Sequence, residues 1–229
     1  MNNWKIFKQG VLEQLPLQIG VFPFGIMYGI MAIESGLTPI QAFFMSSIIF
    51  GGASQIAFVQ LASNGTSMGV IVTSISAINS RHFLYSISML EFLKNLSWRW
   101  RLILAYLLTD EAYAISIRKF INEPKNPFLH FHLLGTGITL FLSWQISTFT
   151  GILLGGDLPQ FLELQFIIPL TFIAILIPMI NSISTFCTVI SSGLSALYFK
   201  NLDLNHWIII SGVIGIAIGI ATSRLDKKV

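Results

Sequence analysis

Two short polar clusters interrupt long apolar stretches of this chain, and their residue types suit the handling of charge. Thr109-Asp110-Glu111 stands between Arg101 and Arg118, roughly 12 Å of helix from either boundary. Adjacent carboxylates at such a depth would hold an ammonium group or carry a proton, because an ion kept in oil is expensive and therefore marks function. The alternative is a segment lying at the interface with its acids hydrated. The second cluster is Asn79-Ser80-Arg81-His82, with Tyr85 one turn on. A spacing of three puts Asn79, His82 and Tyr85 on one helical face, and a spacing of four pairs Arg81 with Tyr85. Arginine can grip a carboxylate through two parallel hydrogen bonds, and histidine ionises near neutrality. Set against this is a snorkelling Arg81 and an interfacial His82.

Small residues form a third group. Phe50-Gly51-Gly52-Ala53-Ser54-Gln55 lies in the middle of a charge-free run. Paired glycines there predict a helix break whose bared amides are tolerated only against protein or a water-lined cavity; close helix packing is the alternative. Pro23 is expected to kink the first apolar segment, and Gly25 with Gly29 gives a spacing suited to packing. Pro178 and Asn181 predict a second kink or hinge. His130, His132 and His206 stand at segment edges and read as interfacial.

These groups must be positioned by membrane helices. Hydrophobic residues make up 54% of the 229, charged residues only 10%, and the mean hydropathy is +0.75, which excludes an ordinary soluble fold. The runs without Lys, Arg, Asp or Glu include 35–80 and 164–199. At 1.5 Å per residue these are about 69 Å and 54 Å, too long for one crossing of a layer about 30 Å thick. Each must turn back, the first at Ser63-Asn64-Gly65-Thr66 and the second near Pro178 to Ser182. Eight apolar segments result, at about 15–33, 38–62, 67–90, 102–117, 128–154, 164–180, 183–199 and 206–223. The expected fold is an all-α polytopic membrane protein, a single permease domain with seven or eight such segments, some broken or re-entrant. An N-terminal signal-peptide reading fails because the first apolar stretch is longer than an h-region and retains no clean cleavage site.

Basic residues bear on orientation. Arg224, Lys227 and Lys228, with the loop carrying Arg118, Lys119 and Lys125, read as cytoplasmic; the loop with Asp157 and Glu163 reads as external. Lys94, Arg99 and Arg101 lie across segment 102–117 from Arg118 and Lys119. A full crossing would break the positive-inside rule, whereas a re-entrant segment would leave seven crossings and an external N-terminus. A faint echo at an offset of 120 to 122 residues relates Gly29-Ile30 to Gly151-Ile152 and suggests halves at about 15–120 and 128–223, of opposite orientation in the seven-crossing arrangement. Gly151 with Gly155, and Ser211, Gly215 and Gly219, repeat every four residues and offer packing faces, one of which would suit a second subunit.

Several classes fall away. The net charge is only +3, without the basic face that nucleic acid demands. The lone Cys187 gives no disulfide framework and no Cys-based metal site. No metal ligand set and no cofactor is expected, and the absence of a phosphate-binding loop means that transport would run on an ion gradient, exchange or another polypeptide. A membrane-embedded transferase would need a tighter acid or metal cluster, so the chain is expected not to be an enzyme. A passive channel is favoured by the glycine-rich breaks and disfavoured by paired charges at mid-depth.

Taken in order, Pro23-Phe24-Gly25, Phe50 to Gln55, Asn79 to Tyr85 and Thr109 to Glu111 resemble the AzlC family, the large subunit of bacterial branched-chain amino acid exporters, over residues of about 15 to 200. That resemblance implies an inner-membrane permease exporting leucine, isoleucine and valine, and in some members methionine, with a small membrane subunit of the AzlD type. Placed on those motifs, Asp110 or Glu111 would face the substrate ammonium. Arg81, Asn79, Ser54, Gln55 and the amides of Gly51 and Gly52 would face its carboxylate. Asp110, Glu111 and His82 are the groups that could couple transport to protons.

Overall fold

The structure, a computed structural model, describes residues 3–124, 126–155, 180, 182–202, 204 and 206–226. All regular elements among them are helices. They fall into two compact units, Met1–Asn64 with Ile78–Pro159, and Gly65–Ala77 with Gln160–Val229.

The first unit is built on two long parallel rods. Helix α1 (Asn3–Gln14) passes through a short 3-10 turn, Leu15–Leu17, into α2 (Gln18–Glu34). The change of winding falls at Pro16, while the helix runs on through Pro23. The other rod is α9 (Leu129–Leu154). Gly10 meets His132 and Thr136, Gly25 meets Ser147, Gly29 meets Thr148 to Ile152, and Gly155 meets Ile30 and Ile33. Both chains ascend through these contacts, so the rods point the same way. A Cβ at Gly29 would lie 2.4 Å from the Thr148 carbonyl oxygen, and one at Gly151 would lie 2.1 Å from that of Ile26; only glycine admits backbones this close. The residues of the sequence echo, Gly29 and Gly151, therefore pack directly on each other in parallel helices. Gly25, expected with Pro23 to mark a kink or hinge, packs in the same way against Ser147 and Trp144.

Between the rods the chain dips into the unit twice. Helix α3 (Pro39–Ile49) starts from a capping box in which Thr38 and Gln41 satisfy each other's backbone amides. It descends against α9, with Tyr28 donating to the Ala42 carbonyl at 2.9 Å, Ser46 bonded to Thr148 at 3.0 Å and Ser47 donating to Gln145 at 2.8 Å. Phe50 then turns the chain in the left-handed region, φ 33° and ψ 55°. Helix α4 (Gly52–Ser63) leaves alongside α2, with Gly52 at Phe24 and Gln55 beside Tyr28. From the other end, α7 (Trp98–Tyr106) rises along α9, its Trp100 on His130 and Phe131 and its Tyr106 on Phe141. The chain breaks at Leu107–Thr109, and α8 (Asp110–Asn122) returns, Ser116 meeting His132 and Thr136. Helix α6 (Arg81–Leu93) lies parallel to α8, pairing Tyr85 with Tyr113 and Phe92 with Phe120. It follows α5 (Met68–Asn79), whose last two residues belong to this unit.

Segments 38–62 and 102–117, read from sequence as crossings or left open, are thus two re-entrant hairpins from opposite ends. This removes the charge conflict. Lys5 and Lys8 at the start of α1, Lys94, Arg99 and Arg101 around the start of α7, and Arg118 and Lys119 at the end of α8 all lie at the end of the unit where α9 begins. Of the two alternatives left open for 102–117, the structure shows the re-entrant one; because 38–62 also turns back, the external N-terminus that went with a single re-entrant segment no longer follows. The outside of the unit carries Ile19, Ile40, Phe83, Leu84 and Ile87, each more than 65% exposed, the dress of a surface facing lipid.

In the second unit, α10 (Ile183–Asn201) and α11 (Trp207–Asp226) form an antiparallel hairpin. Ser182 caps α10, and Asp226 accepts the Ser184 amide at 3.2 Å. Gly215 and Gly219 face Ser192 and Thr188 of α10, so this small-residue face, like that of Gly151 and Gly155, is filled within the chain. Pro178 and Asn181 lie outside the described residues.

Two outcomes follow. Gly29→Ala should lower stability by about 1 to 3 kcal/mol through overpacking, read by thermal unfolding in detergent. In a Cys187→Ser background, Asn95→Cys and Asn122→Cys should be labelled by impermeant thiol reagents from one and the same side, and Glu34→Cys from the opposite side; opposite-side labelling of the first pair would exclude the α7–α8 hairpin.

Candidate functional site

The two hairpin tips meet at the middle of α9. Phe50 packs edge-on against Phe141 at 5.2 Å and tilts over Tyr106 at 5.8 Å. Tyr106 donates its hydroxyl to the Ser47 carbonyl, joining one tip to the other. Leu107 sits on Gly137, and Gly52 fits between Trp144 and Phe24. A left-handed phenylalanine is strained by roughly 1 to 3 kcal/mol; the two aromatic rings packed on it, Tyr106 and Phe141, hold it there.

Three helices begin at this level: α4 at Gly52, α6 at Arg81 and α8 at Asp110. The first amides of a helix have no partner within it, and its dipole makes this end positive. Asp110 and Glu111 occupy the first turn of α8, so the segment is broken, one of the two alternatives that the sequence left open. The break at Leu107–Thr109 puts both carboxylates at a positive helix end. Asp110 accepts from Arg81 Nη2 at 2.9 Å and from the Tyr85 hydroxyl at 2.6 Å. Tyr85 stacks on Tyr113 at 4.5 Å, and Tyr113 donates to Ser88 at 2.9 Å. His82 stands edge-on to Tyr85 at 5.9 Å. Asn79 brings its Oδ1 to the turn at Gly51, 3.9 Å from where a Cβ would stand, and Ser54 folds back to donate to the Gly51 carbonyl at 2.8 Å.

Arg81, Tyr85 and Asp110 thus form one polar group and Asn79, Gly51 and Ser54 a second, linked through the start of α6. Around them, Asn79 Oδ1, Arg81 Nε, Thr109 Oγ1 and Trp144 Nε1 are buried without a hydrogen-bond partner among the described residues. Gln55 is fully buried against the Tyr28 hydroxyl, neither amide atom reaching hydrogen-bond geometry. Buried polar atoms are ordinarily satisfied, so their gathering at three helix starts marks a place suited to a polar ligand. Sequence reasoning had Thr109 in its cluster with Asp110 and Glu111 but missed Trp144 as part of this group. It also missed Gln145 and Thr148, which tie α3 to α9; their only signal was polarity within an apolar run.

The chemistry on offer is recognition of opposite charges close together, framed by aromatic and aliphatic walls. No group of three or more His, Cys, Asp or Glu side chains able to hold a metal is found among the described residues.

A membrane protein of broken helices that converge on a charged centre at mid-depth is the class this architecture defines. The profile of the family described as AzlC protein matches residues 16–158, more than half the chain, and the protein belongs to that family. It is 29% identical over 203 residues to an uncharacterised membrane protein of Archaeoglobus fulgidus, covering 87% of each chain. It is 27% identical over 155 residues to the inner membrane protein YgaZ of Escherichia coli, covering 67% of this chain and 63% of that one. A membrane protein of Helicobacter pylori is 33% identical over 112 residues, 48% of each. No solved structure matches.

Tyr85→Phe removes the 2.6 Å donor to Asp110 and should cost about 1 kcal/mol or more of unfolding stability; thermal unfolding of the purified chain, with Tyr113→Phe as comparison, measures it.

Proposed function

We propose that this chain is the large subunit of a secondary exporter of branched-chain amino acids, leucine, isoleucine and valine, with methionine as a further substrate, acting with a small membrane subunit of the AzlD type and driven by protons. It sits in the bacterial inner membrane with its basic end and its C-terminus in the cytoplasm, and it is not an enzyme. The observation that carries this reading is the Arg81–Asp110 pair at the meeting of the two hairpin tips.

Two opposite unit charges about 4 Å apart attract by about 4 kcal/mol at an effective dielectric constant of 20, and by less where water screens them. A neutral solute cannot offset the loss of that attraction. An amino acid zwitterion can, because its carboxylate takes Arg81 and its ammonium takes Asp110 or Glu111 as the pair opens. The amides at Gly51, Gly52 and Ser54, and the side chains of Asn79 and Gln55, then extend the carboxylate's positive surroundings. Phe50, Phe141 and Trp144 supply an apolar wall for the side chain. Such a wall discriminates weakly, since one methylene is worth only about 1 to 3 kcal/mol; overlapping aliphatic substrates are expected. His82, Asp110 and Glu111 are placed to exchange protons with the substrate site.

In proteoliposomes containing this chain with its small partner, efflux of labelled leucine should be saturable and stimulated by leucine on the far side. Arg81→Gln and Asp110→Asn should each lower it at least tenfold, Tyr85→Phe by less. Transport unchanged in both charge variants would exclude this centre as the substrate site.

A further inference from the structure

His132 was read from sequence as an interfacial histidine. The structure instead buries it completely, at 0% exposure, beneath α1. Its Nε2 lies 2.9 Å from Glu13 Oε2, and its Nδ1 lies 3.4 Å from Ser116 Oγ. Ser116 is 3.2 Å from Thr136 Oγ1, and Thr136 donates to the Leu133 carbonyl at 2.9 Å. Glu13 is different in kind: its side chain is 41% exposed, and its other oxygen accepts from Gln9 at 2.7 Å. Three helices, α1, α8 and α9, therefore meet on one imidazole, with a carboxylate opening outward on one side of it and a closed chain of hydroxyls on the other.

The far end of that chain fixes its direction. A carbonyl cannot donate, so the Thr136 proton points to Leu133. Thr136 is then free to accept from Ser116, and Ser116 to accept from Nδ1–H of His132. With the Nδ1 proton engaged, the Nε2 lone pair faces the Glu13 carboxylate. Two lone-pair atoms 2.9 Å apart repel unless one proton lies between them.

We propose that Glu13 and His132 form a binding site for a single transferable proton, separate from the Arg81–Asp110 centre and lying toward the basic end of α9. Glu13 takes the proton from water at that end and passes it to Nε2, giving an imidazolium beside a carboxylate; release reverses the transfer, and no other atom changes hands. The remaining charged groups facing His132 are Lys119 of α8 and Glu123 just beyond it, which pair with each other at 3.0 Å and leave Glu13 as the direct partner. Loss of the proton sets lone pair against lone pair where Gly10 already packs its backbone on that of His132, so the proton's presence is transmitted to the seam between α1 and α9. That this proton drives transport rests on the exporter reading above.

The full-length chain labelled with [15N]histidine and held in nanodiscs tests the site without any substrate. Its four histidines are assigned by single His→Gln variants. Glu13→Gln should shift the titration midpoint of His132 by one pH unit or more, a tenfold change in proton affinity, and leave those of His82, His130 and His206 in place; an unmoved His132 midpoint overturns the proposal. In proteoliposomes, Glu13→Gln and His132→Gln should make leucine accumulation independent of an imposed pH gradient, and accumulation that still follows the gradient as in the wild type overturns the link to transport. A wild type that moves no leucine would refute the exporter reading while the histidine titration still decides the proton site.

Discussion

The structure depends on the satisfaction of irregular backbone at mid-membrane depth. Inside a bilayer an unpaired amide or carbonyl costs several kcal/mol, so a chain can stop and reverse there only where protein receives it. Helix α9 is that receiver. Its polar face, Gln145, Thr148 and Thr136, bonds to α3 and α8, and its glycines admit both the first rod and the Leu107 turn. The Tyr106 hydroxyl on the Ser47 carbonyl ties the tips to each other. Remove α9 and neither hairpin has a reason to end where it does.

From that support follows the electrostatics. Helices α4, α6 and α8 all start at the depth where the hairpins turn, and their positive ends are concentrated there. Arg81 adds a full positive charge, and Asp110 and Glu111 oppose it. At the Arg81–Asp110 pair opposite charges stand side by side, a form that suits a zwitterion better than a simple ion. Tyr85, held by its stack on Tyr113, fixes the carboxylate's direction as well as its charge.

Much of this was legible in the sequence because membrane composition leaves few alternatives. The helical class, the break at Gly51-Gly52 and the turn at Ser63 to Thr66 followed from polar or small residues in apolar runs, and the clusters at Arg81 and at Thr109-Asp110-Glu111 stood out for the same reason. That Arg81 would pair with Asp110 did not follow, since helical spacing set Arg81 beside Tyr85. What misled was length. Residues 38–62 and 102–117 are each long enough to cross, and periodicity does not reveal that a helix of eleven residues will fold back against a neighbour not yet placed. The basic residues on both flanks of 102–117 were the better guide, since charge reports which side a loop lies on irrespective of how the chain between behaves. The two prolines of the first rod differ. A proline inside α2 removes one hydrogen bond without ending the helix, whereas Pro16, at the join of α1 and α2, coincides with the change of winding.

His132 shows the limit from another side. A histidine three residues into an apolar segment looks interfacial by position alone, and nothing local announces that α1 will cover it. The cover comes from Gly10 and Gly135, each of which would drive a Cβ to 2.3 Å from a carbonyl oxygen of the opposing helix. Close approach of the two backbones leaves no room for water between them, so the imidazole must find its partners in protein, and Glu13 and Ser116 stand where it finds them. The pair of glycines that lets α1 lie against α9 is thus also what converts an edge residue into a buried, carboxylate-facing base. A fold that had separated the two helices by one further methyl group would have left His132 wet and Glu13 an ordinary surface acid.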